Sequence, residues 1–484
     1  MNRQIALLFR VCAAGFAVLV TMTAYWQIWA APSLAERRDN ARLVVRQLEI
    51  RRGLITAADG TVLARDVRRR TNGQTLFLRR YPFGPLYAHV LGYNTIAQGR
   101  TGLELSENDY LTASNADLST IFGRIGDQLR GRAVTGADIQ TTLAPAAQRA
   151  AYAALAGQRG AVVAIEPRSG RILAMVSRPS FDPNTIGARF RHVSHEAGSP
   201  LLNRVLGGLY APGSTFKTVT AAAALERNLF TPESLIDAHG QCISAQGSPL
   251  CNFGGESFGT ISLTDALTHS VNTVFAQVGE RVGAASLRAT MRRLGFDQKP
   301  PLDYPSDEMA ASGLYAHGRV LPENAPIDVA RVAIGQERLE VTPFQMATVA
   351  ATIADGGLRM RPLLVERAVS PGGGTLFRSH PEQLERAFSV RTAQELGAMM
   401  QNVVREGTGT AAALAGIDVA GKTGTAETGV AGLNTAWFIA FAPAEKPRIA
   451  IAVVVEHTPL QGGLVAAPIA RDVIEAYLNA SVAK

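Results

Sequence analysis

The sequence predicts an α+β protein in three parts. These are one membrane-spanning helix, a small β-rich domain, and a large domain whose sheet is assembled from distant segments with a helical block packed against it. Three observations carry this. An uncharged apolar run lies near the start, short strand-like runs and turns fill residues 32–135, and paired apolar runs recur at 160–177 and 435–457 with helical patterns between them. With 484 residues, 47% hydrophobic and 18% charged, the chain is long enough for several domains and too apolar for global disorder.

The apolar run is Val11–Ala31, "VCAAGFAVLVTMTAYWQIWAA", 21 residues without a charge. As a helix it spans about 31 Å, enough for a bilayer core. Tyr25, Trp26 and Trp29 gather at its far end, as an interfacial aromatic belt does. No clean A-x-A site follows, which favours an anchor over a cleaved signal. Residues 1–10 then form a cytoplasmic tail. Arginines flank both ends, so the orientation rests on the short tail and the long domain behind the span, because long domains translocate largely regardless of charge.

Residues 32–135 form the small domain. "GLITAADGTVLA" (53–64) reads as two apolar-alternating arms around an Asp59-Gly60 turn. Between Pro32 and Arg80 stand 12 Arg against 5 acids, a net of +7; Arg3 and Arg10 add two, so residues 81–484 sum to about −1 within the formal charge of +8. A nucleic-acid enzyme carries its basic face on the main domain, and none is present there. Beside a membrane segment the charge is either a solvated face or a contact for anionic lipid, and composition leaves both open.

The large domain, residues 136–484, has its boundary within "GRAVTGAD" (131–138). A helix starts near Pro145 and runs through "AAQRAAYAAL". Two apolar strands surround a Pro-Arg-Ser-Gly turn in "GAVVAIEPRSGRILAMVS" (160–177). A helix from Thr392 to about Arg405 is expected to start with a capping box, Thr392 and Glu395. Leu396, Met399, Met400, Val403 and Val404 fall at its helical spacing. Strands "TAWFIAFAP" (435–443) and "RIAIAVVVEH" (448–457) follow, and a helix around 470–479 closes the chain. Three cysteines, Cys12, Cys242 and Cys251, show no metal-ligand spacing; Cys242 and Cys251 are either a pair across a short loop or two free thiols.

The chemistry is signalled by lysine. Of 48 basic residues only five are Lys, namely Lys217, Lys299, Lys422, Lys446 and Lys484. Arg stays charged in proteins, whereas Lys can be tuned to act as a base. In "PGSTFKT" (212–218) a Pro-Gly turn precedes a helical pattern running to Phe230. Ser214 sits in its first turn, with Lys217 three residues on and on the same face. A Ser hydroxyl becomes nucleophilic when a neighbouring base takes its proton, and burial or a second cation would lower the Lys pKa to suit. The match is not unique, since "SVAK" (481–484) also fits. The second lysine decides the reading. "AGKTGTAET" (420–428) sets Lys422 before Thr423, Gly424 and Thr425, where Gly lets a strand edge approach a ligand and the hydroxyls can bond a carboxylate. A third piece, "SVN" (270–272), offers Ser270 as a proton relay and Asn272 as an amide to hold substrate. "SEN" (106–108) matches it in the wrong domain.

Other patterns fit poorly. "GESFG" (255–259) resembles a nucleophile elbow but follows a Gly-rich loop, and "GTGTAA" (407–412) resembles a dinucleotide fingerprint but follows a helix. His195-Glu196 lacks a second His at zinc-protease spacing.

The order Ser-x-x-Lys, Ser-x-Asn, Lys-Thr-Gly resembles the penicillin-binding proteins. Nearly the whole length is similar to a monofunctional class B member of the actinobacterial A type. The similarity extends to "RRGLITAADGTVLA" (51–64), "YPFGPLYAHVLGY" (81–93), "GRTGLELSENDYL" (99–111), "GRILAMVSRPSFDPN" (170–184) and "GTGTAAALAGIDVAGKTGTAE" (407–427). The middle motif departs from many relatives, which have Cys or Asp where this chain has Val271. The resemblance implies the penicillin-binding transpeptidase fold: a central, mostly antiparallel sheet with flanking helices and a helical subdomain, on a β-rich pedestal. It implies a serine D,D-transpeptidase that crosslinks peptidoglycan stem peptides with loss of D-Ala and is acylated by β-lactams. It needs no cofactor and no metal. In it Ser214 is the nucleophile, Lys217 the base, Ser270 and Lys422 the proton relay, Asn272 the orienting amide, and Thr423, Gly424 and Thr425 the substrate-binding edge. The backbone N–H groups of Ser214 and Thr425 make the oxyanion hole. A membrane polymerase of the SEDS type is the partner it implies, since residues 32–135 leave no room for a glycosyltransferase domain. A D,D-carboxypeptidase, an anchored β-lactamase and a β-lactam sensor are the competing functions.

Overall fold

The computed structural model describes residues 2–26, 48–71, 74–114 and 134–482. Its first element is a helix over Asn2–Ala24, of which Arg3–Ala24 is long and apolar enough to cross a membrane. The helix begins well before Val11 and takes in the expected tail; Arg10 lies within it, its Nε donating to Ala6 O at 3.3 Å. Tyr25 and Trp26 meet edge to face at its end, with ring centroids 5.8 Å apart. Trp29 and the expected end of the span at Ala31 fall outside the described residues.

The Asp59-Gly60 turn forms where the spacing predicts it. Gly60 has φ +86° and Asp59 accepts from the Thr61 N–H, joining Ile55–Thr56 to Val62–Thr71 in antiparallel register. A two-stranded ribbon is marginal alone. Here it belongs to a six-stranded sheet in the order Thr375–Arg378, Val365–Val369, Asp138–Thr141, Ile55–Thr56, Val62–Thr71, Gln74–Arg80. That sheet runs across the expected division near residue 135 and draws two strands from deep in the large domain. Under it lies a buried ionic network. Glu104 accepts from Arg52 Nη2 at 2.8 Å and from Arg79 Nε at 2.5 Å, and Arg79 also reaches Asp66 at 3.1 Å. Burial pushes Glu104 up, but Arg79 and Arg52 outweigh it and hold the carboxyl below its ordinary range. Asp66 goes the other way, because burial outweighs the Arg79 charge and the hydrogen bond it accepts from the Arg52 N–H.

The large domain centres on five antiparallel strands in the order Ala420–Glu427, Asn434–Ala442, Ile449–Thr458, Gly160–Ile165, Ile172–Arg178. Their apolar runs are nearly continuous because helices cover both faces. Pro145–Ala154 and Gly462–Val482 pack on one face, and Pro343–Ala354 and Val390–Arg405 on the other. The closing helix is longer than the 470–479 expected, with Pro468 inside it.

The helix Val390–Arg405 buries Leu396, Met399, Met400, Val403 and Val404 as their spacing predicts. Its cap is different from the one expected. Ser389 Oγ accepts from the Thr392 N–H, so Thr392 lies one turn inside, buried, with its hydroxyl donating to Glu226. Glu395 pairs with Arg391 instead of closing a capping box. Cys242 and Cys251 face each other across a hairpin, Cys242–Ala245 with Ser248–Cys251, and are joined by a disulfide.

Candidate active site

Ser214 stands in a tight 3-10 turn, Gly213–Phe216, that feeds the helix Lys217–Glu226. The helix is shorter at both ends than the pattern suggests, and Lys217 is its first residue. Every residue from Lys217 to Leu225 is buried, and the half-buried Ser214 lies at the mouth of this helix. The turn is held from outside. Gly213 N–H donates to Gly335 O at 3.0 Å, Trp437 Nε1 donates to Ala211 O at 3.0 Å, and Tyr210 exchanges two backbone bonds with Val341. Gly335 has φ +79°, and a Cβ there would lie 2.0 Å from Gly213 O. Gly424 is under a similar constraint: its Cβ would lie 2.8 Å from Pro212 O. The serine turn and the Lys-Thr-Gly strand are therefore in backbone contact.

Lys217 is fully buried. Its Nζ donates to Ser270 O at 2.6 Å and Asn272 Oδ1 at 2.7 Å, and lies 3.3 Å from Ser270 Oγ. Burial pushes its pKa well below the ordinary value, and the Lys422 charge adds to the effect. A neutral amine has two N–H groups and one electron pair. Two acceptors that cannot donate take the N–H groups, which leaves the pair for a hydroxyl. Lys422 is equally buried; its Nζ donates to Ser270 Oγ at 2.8 Å and Thr423 O at 3.1 Å, and burial brings its pKa to about 7. The two lysines meet at one oxygen. Ser270 reaches it with φ +62°, a left-handed backbone that costs a non-Gly residue on the order of 1 kcal/mol.

The remaining predicted residues lie close by. Thr423 Oγ1 lies 2.6 Å from Thr408 Oγ1, and Thr425 Oγ1 accepts from the Gly462 N–H at 3.2 Å, so the Thr425 hydroxyl keeps its own proton to donate. Asn272 opens the helix Asn272–Val282, and its Nδ2 donates to Cys251 O. Val271 is core, which explains an apolar residue between Ser270 and Asn272. Ser214, Lys217, Ser270, Asn272, Lys422, Thr423, Gly424 and Thr425 thus gather at one place.

Sequence reasoning missed the groups behind them. Glu456 accepts from Arg204 Nε at 2.7 Å and Tyr210 OH at 2.5 Å, and pairs with Arg159, bracing the loop that leads to Ser214. An acid closing the apolar run "RIAIAVVVEH" was the available signal. Thr408 lay in a recognised motif without a role, and Gly335 carried no signal. Of the competing motifs, "GTGTAA" does reach this site, through Thr408 Oγ1 on Thr423 Oγ1. Ser257 is in an irregular loop with its hydroxyl on His239 O, and no cluster of three metal-binding side chains occurs among the described residues.

A serine at a helix mouth, one turn ahead of a buried lysine that shares a second serine with another buried lysine on the adjoining edge strand, defines an active-serine acyl transferase. The penicillin-binding protein transpeptidase domain matches residues 160–475, and the penicillin-binding protein A dimerisation domain matches residues 52–139. The chain is 37% identical over 477 residues to the peptidoglycan D,D-transpeptidase PbpA of Mycolicibacterium smegmatis, covering 94% of each. The structure of penicillin-binding protein A from M. tuberculosis as a penicillin G acyl-enzyme complex superposes with TM-score 0.80 at 37% identity, covering 89% of this chain and 100% of that one. Pseudomonas aeruginosa PBP2 in complex with WCK 5153 gives TM-score 0.73 at 29% identity, covering 89% and 95%. The chain belongs to the penicillin-binding protein transpeptidases, with the class B organisation.

Proposed function

We propose that this protein is a membrane-anchored peptidoglycan D,D-transpeptidase and that these eight residues carry the reaction. One observation supports this above the others: both buried lysines bond Ser270 Oγ, so a proton can pass between them without leaving the site. Neutral Lys217 takes the Ser214 proton as Oγ attacks the carbonyl of the penultimate D-Ala. The backbone N–H groups of Ser214 and Thr425 hold the oxyanion, each worth about 3 kcal/mol in such sites. Ser270, polarised by Lys422, returns a proton to the departing D-Ala amine. Lys422 and the hydroxyls of Thr423 and Thr425 hold the terminal carboxylate, with Gly424 allowing close approach. Asn272 has a second N–H for the donor peptide. An amine of a neighbouring stem then attacks the acyl-enzyme, and Lys217 takes its proton and passes it to Ser214 Oγ as the acyl C–O bond breaks. β-Lactams acylate Ser214 as donor mimics.

The apolar helix Arg3–Ala24 suits a single-pass anchor. We place residues 32–135, the pedestal, and 136–484, the transpeptidase domain, on the extracytoplasmic side, where the substrate is. A SEDS-type polymerase is the proposed partner, on the strength of the family resemblance. The test is labelled penicillin on the purified protein, with the adduct located by mass spectrometry. An adduct on Ser214 that Ser214→Ala abolishes is expected; an adduct elsewhere refutes the site. Rapid drug release would instead mark a β-lactamase. Stem peptide with and without an amine acceptor separates transpeptidase from carboxypeptidase, and no turnover with either marks a sensor.

A further inference from the structure

The terminal amide of Asn272 is nearly symmetric in shape, yet its orientation decides what Lys217 can do. With Oδ1 toward Lys217, the amide takes one lysine N–H and leaves the electron pair free. Flipped, it would present an N–H and consume that pair. What excludes the flip is Cys251 O, 2.9 Å from Nδ2. A carbonyl only accepts, so the reversed amide would set oxygen against oxygen.

Cys251 is itself held by two devices. It is the last residue of the hairpin closed by the disulfide to Cys242. That hairpin is a two-stranded sheet with both cysteines exposed and only Ala245 and Leu250 buried, so it has little else to hold its register. The next residue, Asn252, is buried. Its Oδ1 accepts from Thr273 N–H at 2.9 Å, its Nδ2 donates to Glu256 O at 3.0 Å, and its backbone N–H donates to Gln241 O at 2.8 Å. The helix Asn272–Val282 starts after Val271, which has no side-chain acceptor to cap it. Asn252 supplies the cap from 21 residues away and bolts the hairpin to the helix that bears Asn272.

We propose that the disulfide-closed hairpin is a positioning element for Lys217: through Cys251 O and the Asn252 side chain it fixes the Asn272 amide and so the direction of the lysine electron pair. This rests on the reading of Lys217 as the base for Ser214. The test uses the full chain in detergent and the rate of Ser214 labelling by a fluorescent penicillin across pH. Dithiothreitol converts the exposed disulfide to two thiols and is itself oxidised to a cyclic disulfide. Reduced protein is expected to label about tenfold more slowly at neutral pH, the rate equivalent of one neutral hydrogen bond. Its acidic limb should move to higher pH as the less restrained lysine regains a proton. Cys242→Ser without reductant and Asn252→Ala are expected to behave alike, and Asn252→Asp, which keeps the acceptor for Thr273, to recover part of the rate. An unchanged rate and limb, with both thiols shown free by mass spectrometry, overturns the inference. So does a slower rate with an unmoved limb, which would indicate a merely structural bridge. Oxidised wild-type protein that fails to label overturns the functional reading and this inference together.

Discussion

Lys217 and Lys422 are the two lysines, of the four among the described residues, that the fold buries completely. Burial lowers the pKa of both, and it has a cost the molecule bears everywhere else. Folding takes Lys422 from an ordinary 10.5 to about 7. Between those values the unfolded chain binds the extra proton, so stability rises with pH across that window. Lys422→Met removes the penalty. Its unfolding midpoint in urea should exceed wild type most below about pH 7, with the gain fading toward about pH 10.5, while penicillin labelling falls. For Lys217→Arg the expected outcome is a fold of similar stability or less and a labelling rate down by about 10³, since the guanidinium has no electron pair to offer at working pH. The Ser-x-x-Lys and Lys-Thr-Gly motifs were legible because each is a local run of residues. Glu456 and Arg204 were not, because an ion pair 252 residues apart leaves no local pattern.

Among the elements, the serine turn shows how glycine enables contact. Gly335 lets its loop lie against Gly213, and a methyl group there would push into Gly213 O. Gly335→Ala is expected to slow labelling by about 10² or more, as small misplacements of a nucleophile do, with a smaller loss of stability. Stopped-flow labelling set beside a urea titration separates the two. The helix Val390–Arg405 teaches the reverse lesson about caps. Its apolar stripe was readable from period alone, but its start was not. Ser389 and Thr392 both suit a cap, and the choice falls to Ser389 because Glu226, from another helix, takes the Thr392 hydroxyl. Ser389→Ala should cost about 1 kcal/mol, read from the urea midpoint, and leave the labelling rate of folded protein unchanged.

At the scale of the whole molecule, one sheet joins the pedestal to the catalytic domain, and the Arg52–Glu104–Arg79 network lies beneath it. Glu104→Gln leaves two buried arginines short of a counter-charge and is expected to cost about 3–5 kcal/mol. Since Glu104 is held below its ordinary pKa, its contribution is present above the unfolded value and is lost as pH falls through the folded one. Acid should therefore weaken the pedestal of wild type and have less effect on the variant, as hydrogen exchange over residues 48–114 would report. Taken alone, the sequence determined the apolar helix near the start, the paired strands, the amphipathic helix stripes and the three motifs with their order, because each depends on neighbours within a few residues. Only the tertiary structure decided that the motifs meet at Ser270 Oγ, that Cys242 pairs with Cys251, and that strands 365–378 complete the pedestal sheet. Those outcomes depend on closing long loops, and on the dehydration of two lysines that occurs only once the layers have packed.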